Sequence, residues 1–436
     1  MIRLQRLSDI SSQELFSLKR RAELNIQEVQ AVASEIIEQV KLHGDSAVIE
    51  YVRKLDYKNA SIEELKVKPE EFAQAHNGVS PDLRKALVQA HSNIKKFHTK
   101  QLPHEMWFTE LADGIMVGER ITPINSVCLY VPRGKGSFPS VMLMLSIPAM
   151  VAGVSQIIVC TPPNEEGCVD AATLVAAELC GITNIYKIGG AQAIAAVAFG
   201  TETIPKVDKV IGPGNTYVSA AKRLLNGVID VGLPAGPSEA VILADEQADP
   251  NIVALDLLNE AEHGPDSASL LVTNSEAVAV KVAQIIPSYL NKLPERRRIF
   301  CEQVFSNYGG ILLTSSLEES IDFVNDYAPE HLVLLVSDPF GVLGRIKNAG
   351  EIILGPYASI AMSNYNIGLN AILPTGGTAK TYSSVSVFDF LKRSGVAYLT
   401  KQGFDLLKDA TCLLADHEGF PAHAMAVRER SAIWDK

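Results

Sequence analysis

The sequence of 436 residues predicts an α/β protein with two mainly parallel sheets. From about residue 126, short apolar runs alternate with helical stretches, and a second series of the same kind begins at about residue 269. Such alternation is typical of parallel strands whose connecting helices cover the faces of a sheet. The chain is also longer than one hydrophobic core normally serves, so two or three structural units are expected.

The first hundred residues predict helices that precede the sheets. Apolar residues recur at helical spacing over residues 12–42, and His43-Gly44 closes that helix. The helix-rich pattern continues over residues 44–100. Within it, Ser80-Pro81 has the residue types preferred at the N-cap and the first position of a helix, so a helix is predicted to begin there.

The strands of both series are short and apolar, and helices separate them. The first strands read SVCLYVP, QIIVCTPP, NIYKIGG, DKVIGPG and EAVILAD, and the helices between them read DAATLVAAELCG, AQAIAAVAFG and NTYVSAAKRLLNG. The second strands read SLLVT, GGILLT, HLVLLV and GEIILG. A long connection over residues 354–377 is rich in glycine and asparagine. Such loops are either functional or disordered, and the apolar AILPT within it favours order.

The composition excludes some classes of function. Hydrophobic residues make up 47% and charged residues 20%, which is ordinary for a soluble globular protein. The formal net charge of -11 argues against a nucleic-acid partner and against an anionic membrane surface. No apolar stretch of ~18 residues predicts a membrane span, and the charged N-terminus lacks the apolar region of a secretory signal. The scattered cysteines lack CxxC spacing, which predicts reduced, mostly buried thiols in a cytoplasmic protein.

Three glycine-containing loops are candidates for ligand binding. Gly189-Gly190 and residues 212–215 each lie between a strand and a helix, where backbone N–H groups and a helix N-terminus can hold an anion such as a pyrophosphate. Neither is a GxGxxG motif, and tight turns without a ligand are the alternative. A third loop exposes Ser238 and Glu239 just before a strand. Ligands of α/β proteins bind outside the carboxyl ends of strands, where the first two loops lie and beside which the third is expected.

Two pairs of side chains are candidates for metal binding and for acid–base chemistry. Glu260 and His263 are three residues apart, so on one helix they share a face and can chelate an ion; a solvated helix end is the alternative. Glu330-His331 stands at the start of a buried apolar strand, where charge costs desolvation unless it has partners or a function. Such a pair suits general acid–base chemistry near neutral pH, and a solvated strand end is equally compatible with the sequence.

The C-terminal segment GFPAHAMAVRER places His423 in a short polar helix, with Glu418 five residues earlier. A helix of this kind at a chain end usually docks onto the rest of the protein or onto a second subunit. From the residues alone, a docking or oligomerisation arm is therefore the usual interpretation.

Together these motifs resemble the histidinol dehydrogenase family. The resemblance covers essentially the whole chain and rests on GDSAV, LYVPRGK, IPAMVAGV, VCTPP, IGGAQAIAA, IGPGN, PAGPSE, NEAEHGPDS, YAPEHL, LPTGG, SVFDFLKR and GFPAHAMAV. It implies a zinc-dependent, NAD-linked enzyme with one zinc per subunit. Such enzymes oxidise an amino alcohol, L-histidinol, through an aldehyde to a carboxylate, L-histidine, with two NAD⁺ in sequence. The resemblance implies a small-molecule substrate, with no nucleic-acid or membrane partner.

The resemblance also implies a fold and an assembly. Family members have two incomplete Rossmann-like parallel-sheet domains, and they form intertwined homodimers in which a C-terminal arm reaches the partner's site. On this chain the implied parts are a helical N-terminal segment (1–25), a discontinuous first α/β domain (26–129 and 244–385), an NAD-binding second α/β domain (130–243) and a C-terminal dimerisation arm (386–436).

The site residues that the resemblance implies fall on matching motifs. The NAD-contacting residues are Tyr130, Gln192 and Asn215. The zinc ligands are Glu260, His263, Asn364 and His423, and the substrate-binding residues are these four with Ser238, His331 and Glu418. In the family's chemistry, His331 takes the hydroxyl proton in the first oxidation and Glu330 activates water in the second.

Two of the implied zinc ligands depart from the family pattern. The family normally has glutamine where this chain has Glu260, and aspartate where it has Asn364. The net charge of the ligand set is unchanged and every position keeps an oxygen or nitrogen donor. We therefore predict that zinc is retained, with Glu260 as the anionic ligand. Asn364, a weaker donor, is the loosest ligand or gives way to water.

A further departure concerns the substrate. Ala371 stands where the family has a substrate-contacting histidine, and the segment PSVMLMLSIP is more apolar than its family counterpart. Sites that hydrogen-bond a substrate discriminate strongly, so these changes predict a paralogue that acts on a different small primary alcohol. A zinc hydrolase that uses Glu330 to activate water, and a non-catalytic ligand-binding protein, are the alternatives of other classes.

Overall fold

The computed structural model describes residues 2–21, 26–133 and 136–434. Residues 22–25 of the predicted N-terminal segment and residues 134–135 of the LYVPRGK motif lie outside the described residues. The chain divides into two compact units. Unit 1 comprises Met1–Gln101 and Ile124–Phe390, and unit 2 comprises Leu102–Pro123 and Leu391–Lys436.

The secondary structure is numbered in chain order. The strands are β1 (Leu4–Arg6), β2 (Met106–Ala112), β3 (Ile115–Pro123), β4 (Ser126–Tyr130), β5 (Gln156–Thr161), β6 (Ile185–Lys187), β7 (Lys209–Ile211), β8 (Glu239–Ala244), β9 (Ala268–Thr273), β10 (Gly310–Leu313), β11 (His331–Leu335), β12 (Glu351–Leu354) and β13 (Leu391–Leu399). The helices are α1 (Ser12–Arg20), α2 (Ile26–His43), α3 (Asp45–Leu55), α4 (Pro69–Gly78), α5 (Pro81–Thr99), α6 (Pro139–Ala152), α7 (Ala171–Leu179), α8 (Gly190–Phe199), α9 (Thr216–Leu225), α10 (Pro250–Ala261), α11 (Glu276–Leu290), α12 (Glu295–Asn307), α13 (Leu317–Tyr327), α14 (Pro339–Leu343), α15 (Ile360–Met362), α16 (Lys401–His417) and α17 (Pro421–Trp434).

The larger sheet of unit 1 is parallel, with strand order β1-β10-β9-β8-β11-β12. Alternate residues of β8 enter two separate cores. Ala240 and Ile242 pack with α10, α11 and α12, whereas Val241 and Leu243 pack on the side of α13. Because both faces are buried, the strands are apolar almost throughout. In register, His331 of β11 lies between Ala240 of β8 and Glu351 of β12.

The smaller sheet of unit 1 is also parallel, with strand order β6-β5-β4-β7. Helices α2, α8 and α9 pack together over a core that contains the alanine-rich helix α8. The chain runs from β4 outward to β5 and β6, and β7 then pairs on the other side of β4. A reversal of this kind leaves a crevice at the carboxyl ends of β4 and β7, the usual ligand site of open α/β sheets. The two predicted parallel sheets and the α/β class are confirmed.

The predicted N-terminal helices are present, with one interruption. The run predicted over residues 12–42 is divided at Arg21, whose φ of 59° no continuous helix allows. Helix α1 begins with a capping box formed by Ser11 and Glu14. Helix α5 begins as predicted, because the Ser80 side chain accepts a hydrogen bond from the N–H of Leu83 and Pro81 opens the helix.

Unit 2 contains an antiparallel sheet, β13-β3-β2, together with α16 and α17. This sheet was absent from the expectations drawn from sequence. Every residue of β2 is exposed, including Trp107 and Phe108, so its strands lack the buried apolar run that marks the other sheets. The C-terminal segment predicted as an arm lies largely in this unit, and its dimerisation role stays a prediction.

The four-part division of the chain also stays a prediction. Strand β4 crosses the predicted boundary at 129/130, and β8 crosses that at 243/244. Strand β8 pairs only with strands of the larger sheet in the described residues. Among the described helices, none is long and apolar enough to cross a membrane.

Candidate active site

The candidate active site lies at the amino edge of the larger sheet. Glu239, His331 and Glu351 are the first residues of β8, β11 and β12, and all three are buried. This edge is opposite to the one at which ligands of α/β sheets usually bind. Helix α10 follows β8 and returns along the sheet, so its last turn brings Glu260 back to the same edge.

The Nδ1 atom of His331 faces a group of oxygens. It lies 3.6 Å from Oε2 of Glu260, 3.8 Å from Oε2 of Glu330 and 3.3 Å from the carbonyl oxygen of Glu239. One ligand atom each from Glu260, Glu330 and His331 can be chosen so that all lie within 4.8 Å of one another. The Glu330-His331 pair is therefore part of a buried cluster rather than a solvated strand end.

The Nε2 atom of His331 faces a different pair of residues. It lies 3.1 Å from Oδ1 of Asn364 and 3.7 Å from Oε2 of Glu351. Both neighbours of Nε2 are acceptors, as are the oxygens around Nδ1, so either nitrogen can carry the ring hydrogen, and on Nε2 it would be donated to Asn364. Asn364 belongs to a single π-helical turn, Ser363–Ile367, within the long connection that was predicted to be ordered.

Glu260 and His263 are brought together as predicted. Helix α10 ends at Ala261, and the His263 ring turns back so that its Nδ1 lies 3.6 Å from Oε1 of Glu260 and 3.1 Å from the Glu260 carbonyl oxygen. The Glu260 side chain is completely buried, and neither of its oxygens has a hydrogen-bond partner among the described residues. A buried carboxylate without partners is costly unless a cation neutralises it.

Glu239 differs from its predicted exposure. It is buried, because it opens a central strand and meets the Arg21 guanidinium, whose Nε lies 3.3 Å from Oε1 of Glu239. The backbone N–H of Gly376 donates to the same oxygen at 2.7 Å. Burial nonetheless raises the pKa of Glu239 to about 7, against the lowering effects of Arg21 and Gly376.

Burial also raises the pKa values of two more carboxyl groups of the cluster, Glu330 and Glu351. Burial, with the Glu260 and Glu239 carboxylates, raises the pKa of Glu330 well above its usual range. Burial raises the pKa of Glu351 as well, opposed by His331 and by a hydrogen bond from Ser363. A carboxyl group with a raised pKa can hold a proton near neutral pH, which suits acid–base chemistry.

This cluster fits a divalent cation. The unpartnered oxygens of Glu260 lie beside the imidazoles of His263 and His331, and carboxylate and imidazole are common zinc ligands. Of the four predicted ligands, Glu260 and His263 are in direct contact, and Asn364 joins the cluster through His331. His423 is exposed near the start of α17 and Glu418 caps α16; both belong to unit 2.

The three residues predicted to contact NAD occupy the carboxyl edge of the smaller sheet. Tyr130 ends β4, and its hydroxyl accepts a hydrogen bond of 3.1 Å from the N–H of Gly190. Gln192 is buried in the first turn of α8, with its Oε1 unpartnered among the described residues. The Asn215 side chain caps α9 by accepting from the N–H of Val218.

The turns at this edge also fit a dinucleotide. Gly212 has a φ of 134°, and a Cβ there would lie 2.1 Å from the Tyr130 carbonyl oxygen, so only glycine lets the chain approach β4. Gly190 has a φ of 66°, and a Cβ there would collide with Gln192. The turns present the N-termini of α8 and α9 at one crevice, where anions such as pyrophosphate are stabilised.

A sequence model described as histidinol dehydrogenase matches residues 19–431. The chain belongs to the histidinol dehydrogenase family. It is 55% identical over 433 residues to the histidinol dehydrogenase of a Synechocystis species, covering 99% of this chain and all of the relative. It is 50% identical to the histidinol dehydrogenase homolog of Colwellia psychrerythraea, covering 98% and 96% of the two chains. The crystal structure of histidinol dehydrogenase from Elizabethkingia anophelis matches with a TM-score of 0.94 at 36% identity, covering 100% and 99%.

Membership of the histidinol dehydrogenase family confirms the predicted fold class and the predicted class of enzyme, an NAD-dependent dehydrogenase. The roles of the individual site residues stay predictions. Two residues of the cluster, Arg21 and Glu351, had not been singled out in the sequence. For Glu351 a signal was present, because GEIILG begins a buried strand with an acid just as YAPEHL does. Arg21 carried no comparable signal.

Proposed function

We propose that this protein is a zinc-dependent enzyme that oxidises a primary alcohol, L-histidinol or a related amino alcohol, to the carboxylate with two NAD⁺. The first step converts the alcohol and NAD⁺ to the aldehyde, NADH and a proton. The second converts the aldehyde, water and NAD⁺ to the carboxylate, NADH and two protons. The observation that carries this proposal is the buried cluster in which Glu260, Glu330 and His331 converge.

Zinc would be held by Glu260 and His263, with Asn364 and the partner subunit's His423 completing the predicted set. The support is chemical: Glu260 has two buried oxygens without partners, and His263 lies beside them. When bound, the metal supplies Lewis-acid polarisation of the substrate oxygen. The exchange of amide and carboxylate between positions 260 and 364 keeps one anionic ligand in the set.

His331 would remove the hydroxyl proton in the first oxidation. In the tautomer with hydrogen on Nε2, that hydrogen would be donated to Asn364, and Nδ1 would accept a proton on the side where Glu260 and Glu330 lie. The carbonyl would form as the O–H bond breaks toward Nδ1, and bound NAD⁺ would supply the hydride acceptor. Tyr130, Gln192 and Asn215 would position the NAD that accepts this hydride.

Glu330 would act in the second oxidation. Its Oε2 is oriented by the N–H of Glu239, and its pKa is raised by burial and neighbouring carboxylates. It would take a proton from the water that adds to the aldehyde, after which the hydrate releases hydride to a second NAD⁺. Ser238, half-buried beside Glu239, would contact the substrate.

The long connection contacts apolar residues of α6 around Ala371. The N–H of Ala371 lies 3.3 Å from Sδ of Met144, and the Asn370 amide donates to the Met144 carbonyl at 2.7 Å. Leu145 next to Met144 is fully buried. Ala371 has no polar side chain where the family has a histidine, which favours the second candidate, a paralogue that oxidises a different small primary alcohol.

A homodimer is part of the proposal, with Glu418 and His423 completing the site of the partner subunit. The surface of unit 2 supports a homodimer, because large apolar side chains are exposed on both the sheet and the helices of this unit. They include Trp107, Phe108, Leu413, Leu414 and Met425. Exposed apolar area of this extent marks an interaction surface. A cytoplasmic location is also proposed; the free cysteines support it.

The experiment is a panel of primary alcohols that includes L-histidinol, scored by NADH formation and by NADH per alcohol consumed. A yield near two NADH per alcohol supports the four-electron route. Turnover of L-histidinol at a rate typical of biosynthetic enzymes excludes the hypothesis that the protein is a paralogue with another substrate. Absence of NAD⁺ binding in a calorimetric titration would instead favour a zinc hydrolase on the same scaffold.

A further inference from the structure

Glu351 lies on the side of the His331 ring that faces away from Glu260 and Glu330. The two residues are register partners on β11 and β12, so their side chains project to the same face of the sheet. Oε2 of Glu351 is 3.7 Å from Nε2 of His331 and has no hydrogen-bond partner among the described residues. The Glu351 side chain is only 4% exposed, so water does not screen this contact.

The other oxygen of Glu351 is held in place. The Ser363 hydroxyl donates to Oε1, which ties the carboxylate to the π-helical turn that carries Asn364. Asn364 and Glu351 thus both lie beside Nε2 of His331, and Ser363 links Glu351 to the turn that carries Asn364. Asn364 is a neutral acceptor, whereas Glu351 brings a charge.

We propose that Glu351 is a positioning residue for His331, acting at Nε2 of its ring. This inference rests on the proposed function. When Nδ1 takes the hydroxyl proton, the ring becomes a cation, and a buried carboxylate at the opposite nitrogen stabilises that cation and holds the ring in place. Asn364 is a neutral amide and cannot supply this charge.

The two oxidations separate this role from a general structural one. The first uses His331 as the proton acceptor, and the second uses Glu330. Loss of the Glu351 charge therefore slows oxidation of the alcohol and leaves oxidation of the aldehyde near the wild-type rate. A residue that merely keeps the site folded affects both reactions alike.

The test uses variants that separate the charge of Glu351 from its hydrogen bond with Ser363. Glu351→Gln keeps an oxygen that accepts from Ser363 but removes the charge. Ser363→Ala keeps the charge and removes the anchor. With an alcohol and aldehyde pair that the wild-type enzyme oxidises, we expect Glu351→Gln to lower kcat for the alcohol by about 10- to 100-fold with KM little changed. The aldehyde kcat should stay near the wild-type value, and Glu351→Asp should restore part of the alcohol kcat.

Three outcomes would overturn the inference: equal losses in both half-reactions, no loss in Glu351→Gln, or the same selective loss in Ser363→Ala. A second readout does not depend on turnover. In protein labelled with ¹⁵N-histidine, the Nε2 resonance of His331, assigned by its loss in His331→Gln, should move in Glu351→Gln and stay in Ser363→Ala. If the wild type oxidises no alcohol, the proposed function fails, and this resonance alone decides whether Glu351 acts on His331.

Discussion

The backbone N–H of Glu239 donates a hydrogen bond of 2.7 Å to Oε2 of Glu330. This bond joins the first residue of β8 to the residue that precedes β11, so the Glu330 carboxylate is oriented by backbone rather than by a mobile side chain. Its pKa is raised by burial and by the Glu260 and Glu239 carboxylates. Once ionised, a carboxylate held in this orientation with a raised pKa is a stronger base toward water than an ordinary carboxylate.

Glu330→Gln should stop the second oxidation and spare the first. The glutamine side chain can still accept from the N–H of Glu239, but it cannot take a proton from water. We expect aldehyde oxidation to fall by about 10²- to 10⁴-fold, the range of a lost general base, and aldehyde to accumulate. Trapping the aldehyde while NADH is recorded measures both effects. An unchanged NADH yield per alcohol would contradict the role of Glu330.

Glu260→Ala should lose zinc. Removing the fully buried carboxylate deletes the predicted anionic ligand, so metal content after dialysis and alcohol turnover should both fall sharply. Glu260→Gln, which gives the residue usual in the family, should bind zinc more weakly because Asn364 then leaves the set without a carboxylate. Metal analysis by mass spectrometry is the measurement, and Glu262→Ala, at the next acidic position, is the matched control. Full zinc content in Glu260→Ala would refute the assignment.

The sheets of unit 1 could be predicted because their strands are buried on both faces. A strand such as β8, EAVILA, is apolar at nearly every position. Segments with apolar residues at helical spacing separate such strands along the chain. The sheet of unit 2 could not be predicted in this way. Strand β2, MWFTELA, is exposed throughout and carries no pattern that separates it from a loop.

The site was predictable in part for a related reason. Glu330-His331 is conspicuous because it interrupts an apolar strand, and Glu260 with His263 because of helical spacing. Which carboxylates meet them depends on the order of β8, β11 and β12 in the sheet, which is a tertiary property. Glu351 becomes a neighbour of His331 only through that register, and Arg21 reaches Glu239 across more than two hundred residues of sequence.

Arg21→Met should destabilise unit 1 through Glu239. The Arg21 guanidinium lies against the Tyr327 ring, donates to the Tyr327 carbonyl at 2.6 Å and pairs with Glu239. Removing one partner of a buried ion pair costs about 3–5 kcal/mol, because the other charge stays buried. Urea unfolding should therefore begin at a lower concentration in Arg21→Met. Adding Glu239→Gln to that variant should recover part of the loss; if the two losses simply add, the ion pair is not their cause.

Asp256 should make stability fall with rising pH. It is buried on α10, and burial raises its pKa from an ordinary value near 3.8 to about 7. Between about pH 4 and pH 7, Asp256 loses its proton in the unfolded chain and keeps it in the folded chain. The contribution of Asp256 to stability is therefore full below about pH 4 and is lost as the pH rises to about 7. Asp256→Asn abolishes this loss, at most about 4 kcal/mol for a shift of about three units. Its melting temperature should therefore exceed that of the wild type by more at pH 8 than at pH 5. Asp322→Asn, at an exposed position on α13, is the control and should show no such difference; an equal gain at both pH values would exclude ionisation of Asp256 as the cause.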